Sequence, residues 1–217
     1  LADRVALGLC DCVVTESGFG ADCGAEKFFD IKCRASGFIP DACVLVCSIR
    51  GIKAQSVKFR LVPGEKGDPA LTREDFEALG EGSANLRKQI ENIALFGIPV
   101  IVAINIFPTD TKKEIEWVKN KALEFGACDA QESTAFENGS RGALRLAQSV
   151  LRHTSHPSGS SFKFLYESGA TLREKITTIA TRIYGARAAA FSGKAEEEMD
   201  FYTQKGFGGL PVCIAKT

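Results

Sequence analysis

The chain of 217 residues carries 27 basic and 27 acidic side chains, and 45% of its residues are hydrophobic. That is enough apolar material for a sizeable core in one or two domains. The balanced charge does not favour nucleic acid as a partner, and no apolar run approaches the ~18 to 20 residues that a membrane span needs. The chain begins with Leu1 rather than Met and has no signal-peptide pattern, so we interpret it as an internal piece of a longer protein.

The first glycine-rich stretch is "GFGADCG", Gly18 to Gly24. Its spacing, G-x-G-x-x-x-G, misses the dinucleotide fingerprint by one residue at the third glycine, which argues against an NAD site. Gly18 and Gly20 would let a ligand approach the backbone closely, and a helix starting near Ala21 would point free N–H groups at an anion. Phe19, between the two glycines, has two interpretations: it packs on a planar ligand, or it is buried in the core.

Strands and helices alternate along the chain. Four continuous apolar runs predict buried strands, at Cys12–Thr15, Ala42–Ile49, Pro99–Ile104 and Pro211–Ala215. Helical periodicity is clear from Leu86 to Phe96, and two capping-box pairs, Thr111 with Glu114 and Thr171 with Glu174, predict two further helix starts. This alternation predicts an α/β fold with a mostly parallel sheet and flanking helices. We expect 55–70 to leave the sheet as an excursion and 153–161 to form an exposed linker.

The stretch "VAINIFPTDT", 102–111, follows one predicted strand into a polar turn. It resembles the base-reading N-K-x-D of GTPases, but Pro108 occupies the Asp position, so a GTPase is not predicted. Asp110 and Thr111 are well explained as helix caps. Phe107 and Pro108 lie at the carboxyl end of a predicted parallel strand, where open α/β sheets bind their ligands.

Other motifs carry less information. Phe136 precedes "ENGSRGALRLAQ", where two glycines and a helix start allow either an anion site or an ordinary loop. His153 and His156 form an H-x-x-H in a polar stretch without a third ligand in view, which favours a linker over a metal site.

The eight cysteines never form C-x-x-C and lie mostly in apolar runs, which favours small buried side chains in a reducing cytoplasm. Neither a G-x-S-x-G elbow nor a G-x-x-x-x-G-K-[ST] loop occurs in the sequence.

Seven long stretches occur in one order: "VVTESGFGADCGAEKFFDIKCR", "PDACVLVCSIRGIKA", "NLRKQIENI", "FGIPVIVAINIFPTDT", "FKFLY", "EKITTIATRIYGA" and "GFGGLPVCIAKT". Together they closely resemble formate–tetrahydrofolate ligase, also called 10-formyltetrahydrofolate synthetase, over essentially the whole chain. The resemblance implies ATP-dependent ligation of formate to tetrahydrofolate through formyl phosphate, which gives 10-formyltetrahydrofolate, ADP and phosphate. It also implies ATP with Mg²⁺, K⁺ or NH4⁺ as an activating monovalent cation, a cytoplasmic location and a homotetramer for the full-length protein.

The same resemblance implies a domain division. Residues 1–96 would be the C-terminal part of a P-loop NTPase-like nucleotide-binding domain, 97–205 a second α/β domain with a wall of the folate site, and 206–217 the start of a third. In the family the ATP phosphate loop and an arginine clamp precede the position of Leu1. The alternative function is therefore a catalytically incomplete fragment with at most weak folate binding.

The resemblance also implies roles for aromatic and glycine residues. The turn containing Gly18, Phe19 and Gly20 matches the part of the family site that meets formyl phosphate and the folate edge. Phe107 and Pro108 match one wall of the pterin site. Phe136 stands where the opposite wall usually has a Trp, and a Phe offers less area and no N–H donor.

Three further positions match or depart from the family pattern. Arg50 and Lys53 match its cationic pair, which implies phosphate-side cations, with a solvated loop as the alternative. Gln55 stands at the position of the family His in M-H-G-G, so this chain departs from the family pattern there. Trp117 is not the wall Trp; it follows the turn on a predicted helix, and we expect it to pack.

Overall fold

The computed structural model describes residues 1–60, 64, 67–154 and 161–215. One parallel sheet of three strands has the order β1 (Cys43–Ser48), β2 (Val100–Asn105), β3 (Asp129–Ser133). The α-helices of these residues are α1 (Ala2–Leu7), α2 (Arg34–Ser36), α3 (Ile49–Lys53), α4 (Phe76–Ala94), α5 (Lys112–Glu124), α6 (Ala135–Asn138), α7 (Leu144–Thr154), α8 (Leu172–Thr178) and α9 (Gly193–Gln204). Wider π-helical turns at Ala21–Ala25, Phe28–Cys33 and Ile179–Ile183 and 3₁₀ turns at Pro69–Thr72 and Gly139–Ala143 adjoin them.

The predicted α/β fold with a parallel sheet is confirmed. β2 is the central strand, and its residues from Val100 to Ile104 are buried, as its uninterrupted apolar sequence predicts. The helices α4 and α5 contact this sheet and each other, and α7 packs against β2 and β3. None of the helices in the described ranges is both long enough and apolar enough to cross a membrane.

Both capping boxes are confirmed. Thr111 caps α5, its hydroxyl accepting the Glu114 N–H while the Glu114 carboxylate accepts the Thr111 N–H. Thr171 and Glu174 do the same at the start of α8. These two reciprocal caps satisfy N–H groups that would otherwise lack partners in the first turn.

The helical segment of residues 21–36 packs one face into the core. Its buried apolar side chains recur every four residues, at Ala21, Ala25, Phe29 and Cys33. The Phe29 ring lies 4.7 Å from the ring of Phe96, centroid to centroid, just beyond α4. The segment therefore packs along α4, and this packing also places the glycine turn that precedes the segment.

Three predictions of secondary structure are wrong. Residues 12–15 and 211–215 are not strands, because neither run pairs with a strand among the described residues. In addition, β3 was not predicted, since its polar residues, Asp-Ala-Gln-Glu-Ser, suit an edge strand that is only partly buried. His153 lies in α7, where its Nδ1 is 2.8 Å from the Ser149 carbonyl oxygen, rather than in a linker.

Other predictions are tested only in part. His156 and most of the predicted linker lie outside the described residues, as does part of the 55–70 excursion. All eight cysteines are free, and the expectation that they are buried is wrong for half of them: Cys10, Cys12, Cys128 and Cys213 are exposed. β1 and β2 pair although they lie on opposite sides of the predicted boundary at residue 96, and the domain division stays a prediction.

Candidate functional site

The three strands end at the same level of the sheet. Ser48 of β1 pairs with Asn105 of β2, and Asn105 pairs with Ser133 of β3. Because the strands are parallel, the segments that follow them leave the sheet along one edge, which we call the carboxyl edge. Ligands of open α/β sheets bind at this edge.

The segment after β1 brings a guanidinium group to the carboxyl edge. The Ser48 hydroxyl accepts the Gly51 N–H at 3.1 Å and caps α3. Arg50, in the first turn of α3, has its guanidinium carbon 3.9 Å from the centroid of the Phe107 ring. Within the described part of the chain its guanidinium forms no hydrogen bond or ion pair, so its N–H groups are available to an anionic ligand.

The segment after β2 is the turn that carries Phe107. The Asp110 carboxylate accepts the Phe107 N–H at 2.9 Å, and the Asp110 N–H donates to the Phe107 carbonyl at 2.9 Å, so the turn is closed at both ends. Burial raises the pKa of Asp110 above its ordinary value, against the lowering effect of the Phe107 N–H. Pro108 is exposed and the Phe107 ring is 37% exposed, with one face on Arg50. The turn thus presents an apolar surface beside a cation.

The segment after β3 presents an aromatic ring to solvent. Phe136, in α6, is fully exposed. The loop beyond it folds back onto the strand end, with the Thr134 N–H donating to the Gly142 carbonyl at 3.1 Å. A side chain at position 142 would lie 2.5 Å from the Thr134 carbonyl carbon, so only glycine allows this approach. The "ENGSRGA" glycines therefore shape the loop that supports Phe136.

Lys53 is buried and does not face solvent at the carboxyl edge. It lies one turn after Arg50 on α3, but its side chain is 1% exposed. Its ammonium donates to the Glu114 carboxylate at 2.9 Å and to the Arg73 carbonyl at 2.8 Å. Its role as a phosphate-side cation stays a prediction, and this geometry favours Arg50 for that role. Gln55, two residues after Lys53, lies in a turn and is exposed.

The glycine turn is anchored on α4 rather than on a strand end. The Asp22 N–H donates to the Gln89 side-chain oxygen at 2.9 Å. Phe19 has a φ of 64°, a left-handed conformation that is uncommon outside glycine, and its ring is 76% exposed, so it is not a core residue. A side chain at Gly24 would collide with the Gly18 carbonyl oxygen. The third glycine of the motif therefore lets the turn close on its own helix, which explains its departure from the dinucleotide spacing.

Sequence reasoning missed two fully buried glutamates near these segments. Glu114 was recognised only as a capping residue, and no sequence signal indicated its pairing with Lys53, 61 residues earlier. Glu26 lies in the first turns after Gly24, and neither of its carboxylate oxygens has a hydrogen-bond partner in the described part of the chain. Burial, together with Asp30 and against Lys27, raises the pKa of Glu26 to about 7.

The remaining titratable groups were compared with the ligand sets of metal sites. Among the described residues, no three His, Cys, Asp or Glu side chains are grouped so that they could hold a metal ion. Trp117 packs against the core as predicted.

The chain matches known proteins along its whole length. The family model described as formate–tetrahydrofolate ligase matches residues 1–217. A formate–tetrahydrofolate ligase of Chloroflexus aurantiacus is 48% identical over all 217 residues, which are 38% of that protein. One of Roseiflexus castenholzii is 45% identical with the same coverage. The mouse protein named C-1-tetrahydrofolate synthase, cytoplasmic, is 46% identical over 220 residues, 100% of this chain and 23% of that protein. The chain therefore spans well under half the length of these relatives.

Proposed function

Because the chain belongs to the formate–tetrahydrofolate ligase family, we propose that it forms the acceptor side of a site that ligates formate to tetrahydrofolate at the expense of ATP. One observation carries the proposal. Arg50, Phe107 and Phe136 follow three strands whose last residues pair in register, so a cation and two aromatic rings share the carboxyl edge. A flat, partly anionic ligand such as a folate with a phosphorylated co-substrate matches that chemistry.

The proposed reaction has two steps. A formate oxygen attacks the γ-phosphorus of ATP, ADP leaves, and formyl phosphate forms. N10 of tetrahydrofolate then attacks the formyl carbon, phosphate leaves with the C–O bonding electrons, and N10 loses its proton, which gives 10-formyltetrahydrofolate. Positioning and cationic stabilisation should supply most of the rate, because negative charge develops first on phosphoryl oxygens and then on the formyl oxygen.

In this proposal the aromatic residues bind the folate. Phe107 and Pro108 form one wall of the pterin site and Phe136 the other. The guanidinium of Arg50, stacked on Phe107, faces the phosphate side. Its uncommitted N–H groups suit a phosphoryl or carboxylate oxygen.

The glycine turn would meet the formyl phosphate. The backbone of Gly18 and Gly20 gives room for close approach, and the strained, exposed Phe19 would cover the folate edge. Strained backbone is common at ligand sites, where the surrounding structure maintains it. Here the tie from Asp22 to Gln89 holds the turn on α4.

Other parts of the proposal rest on the family alone. ATP with Mg²⁺, an activating K⁺ or NH4⁺, the homotetramer and the cytoplasmic location belong to it as expectations for the full-length protein. The 217 residues contain no G-x-x-x-x-G-K-[ST] loop, so we assign no Mg²⁺ ligand or cation ligand to them and no step through either ion.

The test of the site is Phe136→Ala in a full-length ligase that contains these residues. We expect the KM for tetrahydrofolate to rise more than the KM for ATP, because only the folate loses a stacking surface. Phe201→Ala is the control, since Phe201 is also an aromatic residue that is accessible to solvent, at about half exposure, but lies on α9. An equal or reversed effect on the two KM values would reject the assignment of Phe136.

The second candidate function, a catalytically incomplete fragment with at most weak folate binding, is favoured by the short coverage of the relatives. An assay of the isolated 217-residue chain tests this second candidate. We expect no formate-dependent ATP turnover from it, and formation of 10-formyltetrahydrofolate by the isolated chain would exclude the fragment hypothesis.

A further inference from the structure

A buried ion pair lies beneath the carboxyl edge and connects two of the segments that form it. Lys53 belongs to the same short helix as Arg50, and Glu114 belongs to the first turn of α5, directly after the turn that carries Phe107. Lys53 is 1% exposed and Glu114 is 0% exposed. Two charges this deep are stabilised only when they are paired and their other hydrogen-bonding positions are satisfied.

The Glu114 carboxylate has donors from three segments of the chain. One oxygen accepts the Lys53 ammonium at 2.9 Å and the Asp75 N–H at 3.2 Å, and the other accepts the Thr111 N–H at 3.4 Å. Lys53 adds a bond to the Arg73 carbonyl. A single side chain therefore fixes α3, the start of α4 and the start of α5 relative to one another.

The groups above this pair are held by a weaker contact. Arg50 and Phe107 meet only through the face of the ring, at 3.9 Å. A cation–π contact at a partly exposed site contributes little and does not by itself fix the distance between two loops. The pairing of Ser48 with Asn105 sets the level at which the two segments leave the sheet, and Lys53 and Glu114 add a buried side-chain connection between the same two segments.

A glutamine at position 114 would keep the cap but lose this connection. A capping box accepts Glu or Gln, so the cap alone does not require a charge. A Gln side chain could still accept the Thr111 N–H, but it would bring an uncharged amide to the Lys53 ammonium. The charge of Glu114 thus serves Lys53 rather than the helix start.

We propose that Glu114 is a positioning residue of the site, which holds Lys53 and the Thr111 cap together and so keeps Arg50 stacked on Phe107 at the folate wall. The kinetic consequence rests on the proposed function. The geometric consequence does not, because the stack exists whatever the ligand is. An experiment can therefore reject the kinetic consequence without rejecting the geometric one, and the reverse.

The chain provides a matched control in its second capping box. Glu174 accepts the Thr171 N–H at 2.8 Å, as Glu114 accepts that of Thr111, but Glu174 is exposed and has no lysine partner in the part of the chain that the structure describes. Glu174→Gln therefore changes the same capping motif without touching a buried ion pair.

The experiment compares Glu114→Gln and Glu174→Gln in a full-length ligase, well below both melting temperatures. For Glu114→Gln we expect the KM for tetrahydrofolate to rise about tenfold while the KM for ATP stays within about twofold. Glu174→Gln should leave both KM values unchanged. An equal rise in both KM values, no rise in either, or the same response in both variants would overturn the proposal.

A second variant covers the possibility that Glu114→Gln does not fold. Arg50→Lys leaves the buried pair intact and keeps the positive charge, but it removes the planar group that stacks. We expect the KM for tetrahydrofolate to rise, because the guanidinium no longer packs on Phe107 at the folate wall. An unchanged KM would show that the stack is not what the pair positions, and would reject the proposal.

A spectroscopic measurement separates the proposal from the proposed function. The Phe107 ring should shift the proton–nitrogen NMR signal of the Arg50 side chain, and this shift should disappear in Glu114→Gln but persist in Glu174→Gln. A signal that is unshifted in the unmodified protein, or unchanged in Glu114→Gln, overturns the positioning role. If the signal behaves as expected but the unmodified full-length protein makes no 10-formyltetrahydrofolate, the proposed function fails and the positioning role stands.

Discussion

Glu26 and Glu114 are both completely buried, yet their surroundings are opposite. Glu114 accepts hydrogen bonds from Lys53, from a backbone N–H near the start of α4 and from the cap of α5. Glu26 accepts none within the described residues, and burial raises its pKa to about 7. Burial to the same depth therefore leaves one carboxyl group with donors from three segments and the other with none among the described residues.

The difference arises from how each residue enters the core. Glu114 lies where three separate segments meet, and each supplies a donor. Glu26 lies within one helical segment, where its neighbour one turn later, Asp30, is a second buried carboxyl group, and its nearest cation, Lys27, is 3.9 Å away at the partly exposed side. Asp30, one turn later, accepts a hydrogen bond from the Leu165 N–H at 3.0 Å, but burial still raises its pKa to about 6.

Removing the cation from Glu114 would make it resemble Glu26, and this should give the largest effect. We expect Lys53→Met to lower the free energy of unfolding by about 3–5 kcal/mol, because a buried carboxylate loses its counter-charge. Guanidinium chloride unfolding followed by circular dichroism measures this.

Two controls accompany this prediction. Adding Glu114→Gln to Lys53→Met should recover part of the loss, since no charge is then left buried. Lys121→Met breaks an exposed ion pair with Glu124 and should cost about 1 kcal/mol at most. Equal losses for the two lysines would show that the buried pair has no special importance.

The second prediction concerns the pH dependence that Glu26 imposes. Its pKa is 4.5 in the unfolded chain and about 7 in the folded chain. As the pH rises through this interval the unfolded state loses its proton first, so stability should fall between about pH 4.5 and 7 and level off above. The fall attributable to Glu26 is on the order of 3 kcal/mol.

Glu26→Gln should remove most of this fall and leave the part that comes from Asp30. The measurement is the free energy of unfolding at a series of pH values across the interval. Glu174→Gln is the control, because Glu174 is exposed and its backbone hydrogen bond from Thr171 lowers its pKa. Stability that rises from pH 4.5 to 7 in the unmodified chain would contradict the assignment.

The contrast between these glutamates also marks how far the sequence could predict the structure. The strands β1 and β2 and both capping boxes depend on neighbouring residues, and the local pattern predicted them. β3 is a short, polar edge strand and gave no signal. The run at 12–15 is apolar but pairs with no strand among the described residues, and an apolar run cannot reveal whether a partner exists.

The candidate site was predictable as a set of residues but not as a geometry. Phe107 and Phe136 could be named from their motifs, and their common edge depends on the register of three strands. Lys53 and Arg50 looked alike in sequence, yet one side chain is buried and the other lies on a ring. The direction of a side chain on a five-residue helix depends on contacts with segments that are distant in sequence, such as the start of α5.

The smallest expected effect comes from the helix caps themselves. Thr171→Ala removes only the exposed cap of α8, and we expect it to cost about 1 kcal/mol of unfolding free energy. Thr111→Ala should cost more, because the Thr111 hydroxyl also donates to Glu74 at 2.8 Å and the cap is attached to the buried carboxylate of Glu114. Chemical unfolding of both variants, each with and without the Gln substitution at its own capping Glu, gives two double-mutant cycles. The coupling should be larger for the pair at α5 than for the pair at α8. Equal couplings would mean that the cap of α5 acts independently of the ion pair beneath it. A purely local cap contributes the same free energy, whatever other groups its glutamate contacts.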